Sequence, residues 1–142
     1  MTGRVMAVDP GEKRIGIALS DETQTLAKGL KVIPHVSLKQ DCAEITRLAA
    51  ENEVVEIIVG SAEGEEDEET PASRHAKRVA DALAQTCELP VTLWDESGST
   101  RQARAIRLQG GARRNKRAGH LDEVAAAVIL QSWLDANQDK KD

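Results

Sequence analysis

Phenylalanine and tyrosine are absent from this chain of 142 residues, and its aromatic supply is two tryptophans. Aliphatic side chains and alanine must therefore fill the interior, and a hydrophobic content of 40% is enough for a full core. The same poverty argues against a single-strand-binding platform, which needs aromatic faces for bases to stack on. Cysteine is nearly as scarce. Cys42 and Cys87 lie 45 positions apart with no partner cluster, so neither a zinc site nor a disulfide framework is indicated. Both fall on the apolar side of helical patterns, which predicts buried free thiols. Long apolar runs are missing too: none approaches the roughly 18–20 residues that span a bilayer. The opening Met1–Pro10 lacks the apolar stretch of a signal peptide. A soluble, cytoplasmic protein without membrane contact is the expectation.

Net positive charge is also lacking. The chain carries 24 acids against 19 bases, a balance of −5, unlike the basic surface of a nonspecific nucleic-acid coat protein. That total hides an asymmetry. Arg101, Arg104, Arg107, Arg113, Arg114, Lys116 and Arg117 share a stretch with no acid, which holds +7 and leaves −12 for the remainder. Residues 63–69 hold six acids in seven positions, the pattern of a solvated loop. A polyanion would be drawn to the first segment and repelled from the second.

The patterning is that of an α/β chain. Arg4 to Asp9 is a short apolar strand closed by Asp-Pro-Gly, a turn signal. Over 14–20, Ile15, Ile17 and Leu19 alternate with Gly16, Ala18 and Ser20, so the first two strands read as a hairpin. A third strand is expected over about 25–33, stopping at Pro34, then a helix over about 37–51 carrying Leu38, Cys42, Ile45 and Leu48. Val54 to Gly60 is a β-branched strand; Ala76, Val79, Ala80, Leu83 and Cys87 mark a second helix; Val91 to Asp95 is a fifth strand. A third helix capped by Ser99 or Thr100 should end at Gly110-Gly111, before a nearly all-apolar last helix from about Leu121 to Ala136. Strands joined through helices should be parallel, with the hairpin strand antiparallel. With no repeat and no linker, residues 1–138 read as one domain and 139–142 as a charged tail.

Three carboxylates fall at comparable places. Asp9 closes the first strand, Glu96 follows the fifth, and Asp122 opens the last helix. Ligands of open α/β sheets bind beyond the carboxyl ends of the strands, and carboxylates gathered there supply the hard oxygens that Mg²⁺ or Mn²⁺ prefers. Each residue also has a plain structural reading: a turn residue for Asp9, a helix N-cap for Asp122, an exposed loop acid for Glu96. His35 after Pro34, His75 on the polar side of the second helix, and His120 beside the last helix read as ordinary polar positions. Of these, His120 alone lies near the proposed site.

The segment Met6-Ala-Val-Asp-Pro-Gly-Glu-Lys-Arg-Ile-Gly-Ile-Ala-Leu-Ser-Asp21 resembles the opening signature of the YqgF/RuvX family, the Holliday-junction-resolvase-like proteins. The likeness continues through Ile57–Gly60, Leu89–Glu96 and Asp122–Leu134, in order and across essentially the whole chain. It implies an RNase H-like fold: a five-stranded mixed sheet in the order 3-2-1-4-5, second strand antiparallel, flanked by helices. It further implies a metal-dependent nuclease in which Asp9, Glu96 and Asp122 hold Mg²⁺ or Mn²⁺. Asp9 would bridge two ions, and each of the others would complete one coordination shell. The implied substrate is structured nucleic acid, either the precursor of 16S ribosomal RNA or branched DNA such as a Holliday junction. Lys13 and Arg14 in the hairpin are either phosphate contacts or a solvated turn. Arg113, Arg114, Lys116 and Arg117 would hold the backbone by salt-sensitive contacts. Cutting both strands of a junction symmetrically would require a homodimer.

Two segments depart from the family pattern. Ser61 to Glu69 replaces a Leu-Pro type segment with a polar, Gly-containing loop, and Ser97-Gly98 stands where an Arg usually follows the Asp-Glu pair. These departures motivate a competing reading, a catalytically weak nucleic-acid or ribosome-associated binding module with the same fold. A phosphotransferase, suggested by Asp-Pro-Gly between two strands, needs two such domains where this length supplies one.

Overall fold

The first strand, β1 (Arg4–Pro10), carries Val5, Met6, Ala7 and Val8, all fully buried, and lies at the centre of the sheet. The computed structural model describes residues 3–11, 13–61, 71–95 and 118–141, with backbone alone at 71–73, 95, 118–123 and 138–141. Beyond β1 it contains β2 (Arg14–Ser20), β3 (Ala27–Pro34), α1 (Leu38–Glu51), β4 (Val54–Ser61), α2 (Pro71–Thr86), β5 (Val91–Asp95) and α3 (Ala118–Lys141). The five strands form one sheet in the order β3-β2-β1-β4-β5. β1 pairs antiparallel with β2 and parallel with β4, which in turn pairs parallel with β5. The order and the strand directions are those the patterning and the resemblance imply.

Alternation along the strands sorts the core into two layers. Met6, Val8, Ile15, Ile17, Ile57 and Val59 pack with Cys42, Ile45 and Leu48 of α1 and Val79 and Leu83 of α2. Val5, Ala7, Ala18 and Ile58 pack on the other side against Ala126, Ile129, Leu130, Trp133 and Leu134 of α3. The second layer is built of smaller sheet residues, and Gly60 joins them. A Cβ added at Gly60 would stand 2.5 Å from Ile129 Cδ1, so α3 lies directly on the backbone there. Two side chains tie α3 to the two edge strands of the sheet, β3 and β5. Ala27 N donates to Gln131 Oε1 at 2.9 Å, and Trp94 Nε1 donates to Ser132 Oγ at 3.2 Å.

Several boundaries differ from the sequence expectation. α2 starts at Pro71, five residues before its first apolar marker, because proline suits the first helical position, where its missing N–H costs nothing. β3 includes Pro34, which pairs with Arg14 at the strand end. α3 starts at Ala118 and runs to Lys141, so His120 lies within the helix rather than beside it. Cys42 is buried as expected, whereas Cys87, just past α2, is half-buried. The expected helix between residues 99 and 111, the acidic run 63–69 and the whole +7 stretch lie outside the described residues.

Candidate metal and nucleic-acid site

Asp9 is the penultimate residue of β1, half-buried, and pairs across the hairpin with Gly16. Strand parity puts it on the face of Val5 and Ala7, the face that α3 covers. That partner, Gly16, carries no side chain. On the β4 side, the ladder Val8↔Val59 brings the carboxyl end of β1 level with Gly60 and Ser61. These two in turn pair with Trp94 and Asp95 of β5. The carboxyl ends of β1, β4 and β5 thus form one edge, with neighbouring strands about 4.8 Å apart.

Asp122 lies in the fifth position of α3. It is therefore inside the helix and is not its N-cap, so a capping role does not account for it. Seven residues separate it from Ile129, so it stands about 10 Å along the helix from the point where α3 touches Gly60. Glu96 follows the last residue of β5 and lies outside the described residues, as do Arg113, Arg114, Lys116 and Arg117. Among the described residues, no group of three metal-ligating side chains comes together; Asp9 is the one member of the proposed triad whose side chain is described. A donor set of three carboxylates fits a hard divalent cation, and Asp9 is only half-buried at the end of its strand. Lys13 and Arg14 are exposed in the turn that follows.

On the opposite face of the same turn is a polar cluster that the sequence patterning does not reveal. Asp41, on α1, is only 3% exposed. Its Oδ1 accepts from Val36 N at 3.0 Å, and its Oδ2 pairs with His35 Nδ1. The His75 ring meets that of His35 edge-on, with centroids 5.7 Å apart. His75 is half-buried rather than solvated. Burial pushes its imidazole below the ordinary range, helped by His35 and Arg78, while the nearby Gly11 backbone and Asp41 act the other way. One signal was present in the sequence. Asp41 stands four residues before Ile45 and seven before Leu48, on the buried stripe of α1.

The sequence model of a family described as "RuvX: Holliday junction resolvase" matches residues 3–136. A protein of Myxococcus xanthus (strain DK1622) named "Putative pre-16S rRNA nuclease" is 38% identical over 135 residues, 95% of this chain and 89% of its own length. A protein of the same name from Symbiobacterium thermophilum is 39% identical over 133 residues, covering 94% and 92%. Among solved structures, RuvC of T. thermophilus in complex with a Holliday junction substrate matches with a TM-score of 0.62 at 13% identity, over 96% of each chain. The fowlpox virus Holliday junction resolvase matches at 0.54 and 16%, over 94% of this chain and 98% of its own. At these identities the structural likenesses speak for the fold alone.

Proposed function

Since the chain belongs to the RuvX family, we propose that it is a divalent-metal-dependent endonuclease acting on structured nucleic acid, with Asp9, Glu96 and Asp122 as its metal ligands. The observation that carries this reading is the place of Asp9. It is a carboxylate at the carboxyl end of the central strand, on the face that α3 covers, within a chain whose relatives are named as nucleases. The three carboxylates would hold Mg²⁺ or Mn²⁺. Bound there in a pair, such ions supply an activated water and stabilise the leaving oxygen of a phosphodiester.

The chain's own contribution is to gather and orient. In this reading β1 and α3 would supply Asp9 and Asp122 from the two ends of the sequence, and Glu96 would follow β5. Seated at the end of a paired strand, the carboxylate of Asp9 would already stand near its working place before substrate arrives, leaving little reorganisation for the reaction. Arg113, Arg114, Lys116 and Arg117 would grip phosphates, and Lys13 and Arg14 would extend that grip to the hairpin turn. With few aromatics to stack on bases, recognition would run through phosphates and shape. Residues 1–138 would form the nuclease domain, working in the cytoplasm on pre-16S rRNA or on branched DNA.

The test is cleavage of both substrates by the purified chain, with Mn²⁺, Mg²⁺ or EDTA. Metal-dependent cutting that disappears in Asp9→Asn supports the reading, and the preferred substrate decides between RNA and junction DNA. Absence of cutting, or cutting untouched by Asp9→Asn, overturns it. Tight binding without cutting would instead fit the binding module that the acidic 63–69 run suggests.

A further inference from the structure

Asp41 is a buried carboxylate on the far side of the sheet from α3, and the reaction proposed above gives it no role. It grips two consecutive residues: Val36 through its backbone N–H and His35 through its ring. His35 in turn donates its own N–H to Lys13 O at 2.9 Å, inside the β1–β2 turn. That turn is closed by Gly11 N donating to Arg14 O at 3.0 Å, two residues after Asp9. His75 approaches the same cluster from α2, lying edge-on to His35. A continuous line of contacts therefore runs from the first turn of α1 to the end of the strand that carries Asp9. No other described carboxylate is as deeply buried, and a charge is kept in such a place only where its bonds are satisfied.

We propose that Asp41, acting with His35, is a positioning pair for the metal site: it clamps the turn after Asp9 and so fixes where the Asp9 carboxylate stands. The inference rests on Asp9 being a metal ligand. Groups that orient a ligand from behind influence affinity without touching the metal. Asn at position 41 preserves the clamp, because its Oδ1 still accepts from Val36 N and its amide N–H can donate to a neutral His35 ring. Ala at the same position removes both bonds.

The experiment uses the full chain and two readouts: Mn²⁺ affinity by calorimetry and amide hydrogen exchange by NMR. Asp41→Ala should weaken Mn²⁺ binding about tenfold, and it should speed exchange at Gly11 and His35 relative to Met6 and Val8 in the middle of β1. Asp41→Asn should restore both to within about twofold of wild type. His35→Ala, which leaves the bond to Val36 in place, should shift both in the same direction and by less. It carries the test if Asp41→Ala does not fold. Leu48→Ala, a cavity in the same helix, should lower Tm while leaving the Mn²⁺ affinity unchanged. Wild-type affinity in Asp41→Ala and His35→Ala overturns the clamp, as does an equal loss in Leu48→Ala. A wild type that takes up no Mn²⁺ overturns the metal-dependent reading itself, and this inference with it.

Discussion

Gly60 is the point at which the packing of α3 can be tested most sharply. A Cβ placed there would lie 2.5 Å from Ile129 Cδ1, 3.2 Å from its Cγ2 and 3.3 Å from its Cγ1. Carbon atoms prefer separations of about 3.5–4.0 Å, so Gly60→Ala demands a movement of about 1 Å at the closest approach. Cδ1 is the end of the side chain and can turn away. Cγ1 and Cγ2 need give by only a few tenths of an ångström, so the penalty falls chiefly on Cδ1 and on the packing it must turn into. Overpacking of this kind costs about 1–3 kcal/mol. At about 2.1 cal/mol/K per residue, the unfolding entropy of a chain this long is about 0.3 kcal/mol/K, so each kcal/mol moves Tm by about 3–4 °C. Gly60→Ala should therefore lower Tm by about 3–10 °C. Ile129→Val removes the closest atom and alone should cost about 0.5–1.5 kcal/mol. In the double variant the alanine penalty should shrink by at least about 1 kcal/mol, a coupling that denaturant titrations of the four proteins would measure. A Gly60→Ala protein as stable as wild type would refute the packing described here. So would a penalty that stays the same with valine at 129.

Three further outcomes follow from the same structure. Gln131→Ala removes the acceptor of Ala27 N and the donor to Thr25 O, both at 2.9 Å; it should cost about 1–3 kcal/mol in a urea titration and loosen exchange in β3 before β1. His75 has its pKa lowered in the folded protein, chiefly by burial, so below its ordinary value of 6.5 the unfolded chain binds the extra proton first. Stability should therefore fall as pH drops through 6.5 and stop falling from this source below the folded pKa. The Tm loss between pH 7 and pH 5 should accordingly be smaller in His75→Asn than in wild type, which differential scanning calorimetry can compare. Replacing Arg113, Arg114, Lys116 and Arg117 by Ala should flatten the dependence of log K on log salt in a fluorescence titration with junction DNA or RNA. The slope should change by about 0.7–0.9 for each phosphate that the protein no longer neutralises.

The sheet was legible because its signals are local. Val5 to Val8 and Val54 to Val59 are short β-branched or aliphatic runs, and the alternation of Ile15, Ile17 and Leu19 with Gly16, Ala18 and Ser20 assigned both faces of β2. That alternation already held the location of α3, since the small-residue face is the one a helix can approach closely. The start of α2 was less legible, because Pro71 and its neighbours carry no apolar stripe and the helix there declares itself only by its first proline. Asp9 could be placed because strand and turn signals meet at it. The cluster of Asp41, His35 and His75 could not, for its members belong to three elements and their contacts exist only once α1 and α2 are folded onto the sheet. A histidine on the less apolar side of a helix looks solvated until a hairpin turn covers it.

The central claim is that carboxylates from distant parts of the chain make one divalent-metal site. Its most direct measurement is a calorimetric titration with Mn²⁺ of wild type beside Asp9→Asn, Glu96→Gln and Asp122→Asn. Binding of two ions per wild-type chain is the predicted result, with each variant losing at least about tenfold in affinity for one of them. Four identical isotherms, or none that shows binding, would contradict the claim.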